Sequence, residues 1–445
     1  MNKVKNRTLI ALVLILLLTV GIAFYVGTYV RDGASWASFS ANRSVYTGGK
    51  LTRGQIVDRN GTILLQNTAD GKVYHADPAI RTATLHVTGD RNGNIGTSVA
   101  RKYASILSGF DLINGIYTLS GTGTTLALTL DAQLCADAYA ALAGRRGSIL
   151  VYNYKTGEIL CMVSAPSFDP DNMPQDLDTN AQYSGAYINR CISSTFTPGS
   201  IFKLITTACA IDTLDDLFER EFYCEGSYVI DGKSVNCQGV HGTIKIGDAL
   251  AKSCNCAFAQ LSQLLGSKAI ASYAERFGLT ETLDIGEITA AAGSYDISDD
   301  AFELAWSGIG QSTDLVNPMA MLQAMGEIAN GGVAVAPRLV RSESSADNRM
   351  LSAQTADTLR QMMAYNVSSN YGSANYPGLS LCAKSGTAEV GGDTAPHAWF
   401  VGFLENAEAP LAFVVFIENG GSGSANAGAL ANTVLQSALR HLTEK

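Results

Sequence analysis

A run of 23 uncharged residues near the N-terminus, Thr8–Val30, constrains this chain more than any other segment. A helix of about 20 apolar residues, at 1.5 Å per residue, crosses a hydrocarbon core of about 30 Å. The apolar region of a cleaved signal peptide is only about 7–15 residues long, so the length favours an uncleaved signal anchor. Lys3, Lys5 and Arg7 precede the run, and basic flanks stay in the cytoplasm. We therefore expect a single-pass membrane protein whose chain lies outside the cytoplasm after Arg31.

The charge of the chain argues against a nucleic-acid partner. Residues 1–30 contain three basic residues and no acidic ones, yet the 445-residue chain has a net charge of −9 and an isoelectric point near 5.1. The acidic excess therefore belongs entirely to the external part. Proteins that bind nucleic acid usually present a basic face and have a high isoelectric point. We expect neither DNA nor RNA as a partner.

Strand patterns occur at both ends of the external part, with helical patterns between them. The apolar runs GSILVYNY and GEILCMVSA, separated by the turn Lys155-Thr156-Gly157, predict a hairpin. A helical pattern precedes them at Ala132–Leu142, and a predominantly helical stretch follows Pro198. Three strand-like runs, LSLCAKSG, HAWFVGFLE and PLAFVVFIE, then precede a helix over about 426–441. Strands at both ends favour one sheet assembled from distant segments and covered by helices.

The segment TPGSIFKLITTACAID contains the first candidate site. Pro198-Gly199 break the chain and Ser200 opens an apolar helical run, so Ser200 should lie in the first helical turn. Lys203 lies three residues further on and therefore on the same helical face. A serine hydroxyl needs a base to become a nucleophile, and a lysine can be that base when burial or a nearby cation lowers its pKa. Taken alone, the same spacing also fits an ordinary helix cap.

Two later segments support the interpretation of Ser200 and Lys203 as a catalytic pair. The triplet Ser253-Cys254-Asn255 precedes an apolar helical run, and Lys384-Ser385-Gly386-Thr387 lies on a predicted strand. The patterns S-x-x-K, S-x-N and K-[ST]-G in this order are the set used by penicillin-binding proteins and class A β-lactamases. Separations of about 50 and 130 residues allow a helix, a loop and a strand to converge on one cleft.

On these motifs the chain resembles the class B penicillin-binding proteins, which are peptidoglycan D,D-transpeptidases. The resemblance extends to RGQIVDRNG at 53–61, TGEILCMVSAPSFDPDN at 156–172, GIGQ at 308–311, KSGTAEV at 384–390 and HAWFVGF at 397–403. It implies an α+β fold, with a β-lactamase/transpeptidase-like domain in which helices cover an antiparallel sheet of about five strands. It also implies three domains: a cytoplasmic tip and transmembrane anchor (1–30), a stalk and β-rich pedestal (31–140), and the transpeptidase domain (141–445).

The resemblance implies a catalytic role for five side chains. Ser200 would be the acylated nucleophile and Lys203 its general base. Ser253 and Lys384 would pass a proton to the departing D-alanine. Asn255 would bind the peptide amide of the substrate.

The resemblance assigns substrate binding to the last motif. The backbone N–H groups of Ser200 and Thr387 would form the oxyanion hole, which stabilises charge that develops only in the tetrahedral state. The hydroxyls of Ser385 and Thr387 would hold the terminal carboxylate of the stem peptide, and Gly386 lies between them. A cationic Lys384 suits this carboxylate in an otherwise acidic protein.

The implied function is the cross-linking of stem peptides that end in D-Ala-D-Ala, with β-lactam antibiotics as inhibitors and no cofactor. No glycosyltransferase motif is present, which excludes a bifunctional class A enzyme and implies a separate partner, a membrane glycan polymerase of the SEDS class. The implied location is the cell membrane, with the catalytic domain outside. The alternatives are a β-lactam sensor, a class D-like β-lactamase or a D,D-carboxypeptidase. A sensor normally carries several membrane segments and a cytoplasmic output domain. Only the residues before Thr8 are expected in the cytoplasm, which disfavours a sensor.

Nine cysteines are unusual in an exported chain. Cys224 and Cys237, with His241 four residues later, lie in a glycine-rich loop before the middle motif. A disulfide, free thiols and a zinc site all remain open for this group, and no fourth zinc ligand is evident in the sequence nearby. Cys254, inside the middle motif and flanked by Cys256, is expected to make the site sensitive to oxidation.

Overall fold

The computed structural model describes residues 2–37, 46–47, 50–111, 116–117, 123–296 and 300–443. They form two compact units. The smaller comprises Met1–Ile56, Leu65–Val73 and Tyr103–Leu126, and the larger comprises Val57–Leu64, Tyr74–Lys102 and Ala127–Lys445. The bounds of the three domains predicted from the sequence remain predictions.

The smaller unit begins with the long helix Asn2–Ala37. Its segment Lys5–Arg31, 27 residues long, is apolar and long enough to cross a membrane. Its apolar side chains are exposed from Leu9 to Val26, including Phe24 at 75%. Exposure of this kind is costly in water and favourable in hydrocarbon, so the helix fits a membrane anchor.

An antiparallel sheet of five strands organises the larger unit, which confirms the predicted α+β fold. The strand order across the sheet is Ile159–Ala165, Gly147–Asn153, Leu411–Ile417, His397–Leu404, Leu381–Ala388. The predicted hairpin supplies two strands and the three C-terminal runs supply the others. We call the edge strand Leu381–Ala388 the motif strand, because it contains Lys384, Ser385, Gly386 and Thr387.

Helices cover the sheet because its strands are apolar along nearly their whole length. All seven residues of the Leu411–Ile417 strand are buried. Helices Ala132–Leu142 and Gly428–Thr443 pack together and against the sheet, and so do Pro318–Ala329 and Ala353–Asn366. Strands buried on both faces lack the alternation of a half-exposed sheet, as their sequences indicate.

The remaining elements are short. The other helices are Pro78–Ala83, Leu85–Thr88, Val99–Lys102, Ala104–Leu107, Lys203–Thr213, Ile246–Ala251, Asn255–Leu265, Ser267–Arg276 and Ala301–Ser307. The other strands are Tyr46–Thr47, Lys50–Leu51, Gln55–Val57, Ile63–Thr68, Gly71–Tyr74, Phe110–Asp111, Ile116–Tyr117, Thr125–Ala127, Glu221–Cys224, Ser227–Ile230, Lys233–Asn236, Gly242–Lys245, Leu283–Ile285, Ile288–Ala290, Val333–Val335 and Asp347–Arg349. We call Lys203–Thr213 the serine helix and Asn255–Leu265 the asparagine helix.

The stretch after Pro198 is less helical than its sequence suggests. Four short strands between residues 221 and 245, which we call the knuckle, form two separate antiparallel ribbons. Each of these strands is only four residues long, and so short a strand has too little periodic pattern to be distinguished from a loop. The sequence therefore does not indicate them.

The second half of the RGQIVDRNG segment, residues 57–61, has a structural role in the larger unit. The buried carboxylate of Asp58 accepts hydrogen bonds from the backbone N–H groups of Asn60 (2.8 Å), Thr62 (2.9 Å) and Ala132 (3.2 Å). Asn60 also donates from its amide to Asp131, the residue that caps helix Ala132–Leu142. These contacts fix the start of a helix that packs on the sheet.

Candidate active site

Ser200 lies on the 3₁₀ turn Gly199–Ile201, just before the serine helix. Gly199 has φ +57°, and a Cβ atom there would lie 2.9 Å from the Thr387 carbonyl oxygen. Its N–H donates to the carbonyl of Gly310 in the GIGQ segment at 2.7 Å. The turn is therefore held between this segment and the motif strand, and glycine is required because the backbones approach so closely.

Lys203 is the first residue of the serine helix and has no exposed surface. Its Nζ donates to three acceptors: the Ser253 carbonyl (2.8 Å), Ser253 Oγ (3.2 Å) and Asn255 Oδ1 (2.7 Å). An ammonium group has three N–H donors, so all three are used. Burial lowers the pKa of Lys203 to about 7, since a desolvated cation is disfavoured.

The first two residues of the S-x-N motif lie on the tight loop between helix Ile246–Ala251 and the asparagine helix, and Asn255 begins that helix. Ser253 has φ +53°, a left-handed conformation that costs a residue with a side chain about 1–3 kcal/mol. The loop is held because the N–H groups of Ser253 and Cys254 donate to the carbonyls of Leu250 (3.1 Å) and Ala249 (2.8 Å). Strain of this kind collects at functional sites, where the surroundings enforce the geometry.

Lys384 is the second fully buried lysine of the site. Its Nζ donates to Ser253 Oγ at 3.1 Å and to the Ser385 carbonyl at 2.9 Å. The pKa of Lys384 is lowered well below its ordinary value, first by burial and then by the charge of Lys203. The Ser253 hydroxyl therefore lies between two lysine nitrogens.

The outer edge of the motif strand faces the site. The Ser385 N–H donates to the hydroxyl of Tyr371 at 2.9 Å, so it points away from the neighbouring strand. Alternate residues of an antiparallel strand direct their N–H groups to the same side, which places that of Thr387 on this edge too. Gly386 allows the serine turn to approach, because a Cβ atom there would lie 2.8 Å from the Pro198 carbonyl.

The motif residues come together, with one difference from the sequence interpretation. The three segments meet through Lys203, Ser253 and Lys384 as predicted. Ser200 was expected to contact Lys203 on one helical face, yet its half-buried hydroxyl makes no hydrogen bond to any described residue. The Nζ of Lys203 is instead turned towards the S-x-N loop. Catalytic hydrogen bonds in ligand-free enzymes are often long and shorten only with substrate.

Tyr371 is a residue of the site that the sequence does not indicate. Its hydroxyl binds both the Ser385 N–H and, at 3.0 Å, Ser385 Oγ. It lies at the end of a π-helical turn, Val367–Tyr371, that follows helix Ala353–Asn366. A single aromatic residue in a polar turn has no spacing relation to the three motifs, so one sequence offers no signal for it.

Comparison with known proteins identifies the family. The model of the penicillin-binding protein transpeptidase domain matches residues 147–437. This chain belongs to that family. It is similar to the peptidoglycan D,D-transpeptidase PbpA of Mycolicibacterium smegmatis, at 28% identity over 97% of both chains. It is also similar to PbpA of Mycobacterium tuberculosis, at 31% identity over 66% of this chain and 67% of that protein.

Solved structures agree with this assignment to the penicillin-binding proteins. The ceftriaxone acyl-enzyme complex of penicillin-binding protein A from M. tuberculosis has a TM-score of 0.77 and 28% identity. The likeness covers 87% of this chain and 98% of that one. The relation therefore extends well beyond the three motifs.

For this penicillin-binding protein we expect Tyr371→Phe to slow acylation by a β-lactam about tenfold, because a lost hydrogen bond costs about 1–1.5 kcal/mol. The substitution removes the acceptor for the Ser385 N–H and frees the Ser385 hydroxyl. Stopped-flow or gel measurement of acylation checks this. Tyr365→Phe is the matched control, since its hydroxyl bonds Asp248 at the surface. Equal rates for both variants would contradict a role for Tyr371.

Proposed function

We propose that this chain is a peptidoglycan D,D-transpeptidase that cross-links stem peptides through an acyl-enzyme on Ser200 and releases D-alanine. The observation that carries the proposal is the convergence of two fully buried lysines, Lys203 and Lys384, on the Ser253 hydroxyl beside the serine turn. Relatives named D,D-transpeptidase, and a related structure captured as a β-lactam acyl-enzyme, support it.

Lys203 has the environment of a general base. Burial lowers its pKa to about 7, so a large fraction is neutral at physiological pH. The neutral amine keeps two N–H donors for the S-x-N loop and gains a lone pair. As the Ser200 oxygen attacks the scissile carbonyl, its proton passes to that lone pair. The charge of Lys203 in turn lowers the pKa of Lys384, because two cations so close together are disfavoured.

The proton must then reach the nitrogen of the departing D-alanine. Ser253 Oγ contacts both lysine nitrogens, and a hydroxyl can accept one proton while it donates another. We assign Ser253 and Lys384 to this transfer: Lys203 donates to Ser253 Oγ, and Ser253 donates to the leaving nitrogen as the carbon–nitrogen bond breaks. The amine of a second stem peptide reverses these steps, forms the new amide and frees Ser200.

The edge of the motif strand suits the substrate's charges. The N–H groups of Ser200 and Thr387 form the oxyanion hole in this proposal, since backbone donors fixed before the reaction need no reorganisation. The hydroxyls of Ser385 and Thr387, with Gly386 between them and Lys384 behind, bind the terminal carboxylate. The amide of Asn255 binds the substrate's peptide group.

Covalent labelling tests the nucleophile. We expect a fluorescent penicillin to label the chain, and Ser200→Ala to abolish labelling because no acyl acceptor remains. Lys203→Ala should lower the acylation rate by 100-fold or more, the usual contribution of a general base. Ser193→Ala, an exposed serine, is the control and should label normally. Label on another serine, located by peptide mass spectrometry, would overturn the assignment.

The fate of the label and the products separates the alternatives. A transpeptidase stays acylated for long periods, whereas a β-lactamase releases hydrolysed antibiotic rapidly. A D,D-carboxypeptidase shortens stem peptides without joining them. Cross-linked dimers that disappear in Ser200→Ala support the proposal, and shortened monomers alone contradict it.

We further propose that Thr8–Val30 anchors the chain in the cell membrane, with the N-terminus in the cytoplasm and the catalytic domain outside. The apolar helix and the basic residues Lys3, Lys5 and Arg7 before it support this orientation. Protease added to wall-stripped cells should then digest the chain beyond about Arg31. Complete protection of the catalytic domain would contradict the orientation.

We also propose a SEDS-class membrane glycan polymerase as partner, as the family resemblance implies. A transpeptidase acts on strands that another enzyme extends, and association raises the local concentration of substrate. Replacement of Thr8–Val30 by an unrelated transmembrane helix should leave penicillin labelling of Ser200 intact but reduce co-purification with the polymerase. Unchanged co-purification, together with harmless substitutions around Arg53, would show that the partnership is wrong.

A further inference from the structure

Three cysteines and one histidine meet beside the S-x-N motif, and the proposed mechanism uses none of them. The Sγ atoms of Cys224, Cys237 and Cys254 and the imidazole of His241 all lie within 4.8 Å of one another. Cys224 and Cys254 are buried, and Cys237 and His241 are partly buried. We propose that these four residues bind one zinc ion, which fixes the loop that carries Ser253 and Asn255.

The distances match a tetrahedral metal site. Bonds of about 2.3 Å to sulfur and about 2.0 Å to nitrogen, at tetrahedral angles, separate two sulfurs by about 3.8 Å and a sulfur from a nitrogen by about 3.5 Å. The structure has 3.9 Å between the sulfurs of Cys237 and Cys254. The Nδ1 atom of His241 lies 3.5 Å from Cys224 Sγ and 3.6 Å from Cys237 Sγ.

A disulfide, one of the alternatives that the sequence leaves open, does not fit as well. Sulfur atoms in a disulfide are only about 2.05 Å apart, and all nine cysteines are free thiols in this structure. The fourth ligand that the sequence does not reveal is Cys254, 13 residues beyond His241 in the numbering. The fold brings it to the others because the asparagine helix packs against the knuckle.

The knuckle aligns its three ligands by backbone pairing. Strand Glu221–Cys224 pairs with Gly242–Lys245, so the N–H of His241 donates to the Cys224 carbonyl at 3.2 Å. The N–H of Cys237 donates to the Gly226 carbonyl at 2.9 Å, at the end of the other ribbon. Both ribbons thus end where the ligands gather.

Each strand of the knuckle buries only one large apolar side chain, these being Phe222, Ile230, Val235 and Ile244. Tyr223, Val229 and Val240 are 60%, 64% and 74% exposed. Isolated two-stranded ribbons are marginally stable in water, and small modules with thin cores commonly depend on a metal or a disulfide. A metal ion at the ends of both ribbons supplies the missing stabilisation.

The donor set favours zinc among divalent ions. Thiolate and imidazole ligands suit zinc, and three cysteines with one histidine form a closed structural site with no open position for chemistry. Three thiolates and one Zn²⁺ ion carry a net charge of −1.

The site is connected directly to the catalytic loop, and this part of the inference rests on the proposed function. Cys254 is the middle residue of the S-x-N motif, so a metal bond fixes the backbone between Ser253 and Asn255. The Asn255 amide also donates to the carbonyl of Asn236 at 2.7 Å, next to the ligand Cys237. Cys224, Cys237, His241 and Cys254 are therefore positioning residues, which act through Ser253 and Asn255.

Metal analysis of the full-length chain, purified in detergent under reducing conditions, tests the site. We expect one zinc per chain by mass spectrometry of the metal. Cys237→Ser and His241→Ala should lose it, whereas His241→Cys should retain it because four thiolates also bind zinc. Cys209→Ser, in the serine helix and outside the cluster, is the matched control and should keep its zinc.

A titration with cobalt uses the wild-type chain, so its result does not depend on whether the variants fold. Metal-free wild-type chain titrated with Co²⁺ should develop the visible absorption of tetrahedral cobalt and thiolate charge-transfer bands, which saturate at one equivalent. An octahedral spectrum, a stoichiometry of zinc below one-tenth per chain, or a disulfide among Cys224, Cys237 and Cys254 in freshly isolated chain would overturn the proposal.

Acylation distinguishes this inference from the proposed function. Removal of zinc by a chelator should slow penicillin acylation of Ser200 at least tenfold, and added zinc should restore the rate. Normal zinc content with no acylation at all would refute the proposed function but not the site. Bound zinc whose removal leaves the acylation rate unchanged would overturn the role assigned to it.

Discussion

The burial of two lysines around one hydroxyl is the constraint on which the rest of the site depends. A lone buried ammonium group costs several kcal/mol, so each must be hydrogen-bonded or neutral. Lys203 comes from the serine helix, Lys384 from the motif strand and their shared partner Ser253 from a loop. All three elements must keep their places, or a buried cation loses its acceptors. The five-stranded sheet and its covering helices provide this rigidity.

The sequence predicts those parts of the structure that have a pattern within a short stretch of residues. The helix Ala132–Leu142 follows from its apolar periodicity, and the five strands of the sheet follow from apolar runs and turn residues; the structure confirms them. The three motifs have ordered spacings, so their convergence could be expected too. Tyr371 and the ribbons of the knuckle could not, because they depend on contacts between distant residues and not on a repeating pattern.

The position of Ser200 illustrates the same limit at the level of single atoms. The spacing S-x-x-K places Ser200 and Lys203 near each other, but it does not say where a flexible side chain with three donors will point. The S-x-N loop offers three oxygen acceptors to Lys203, whereas Ser200 offers one. The protonated lysine therefore turns to the loop, and only the neutral amine has a lone pair for Ser200. Burial of Lys203 favours its neutral form, and this form is the one that can accept the proton of Ser200.

The middle position of the S-x-N motif explains how a metal ligand can lie so close to the catalytic groups. Ser253 and Asn255 both direct oxygen atoms to Lys203, while the thiol of Cys254 is turned to Cys237. Ser253 needs a strained backbone to do this, and strain persists only where neighbouring contacts enforce it. A thick apolar core could supply that restraint, but each strand of the knuckle buries only one large apolar side chain. A zinc ion bound through Cys254 acts on the strained segment itself. The knuckle can therefore hold the backbone of Ser253 in place without a large apolar core.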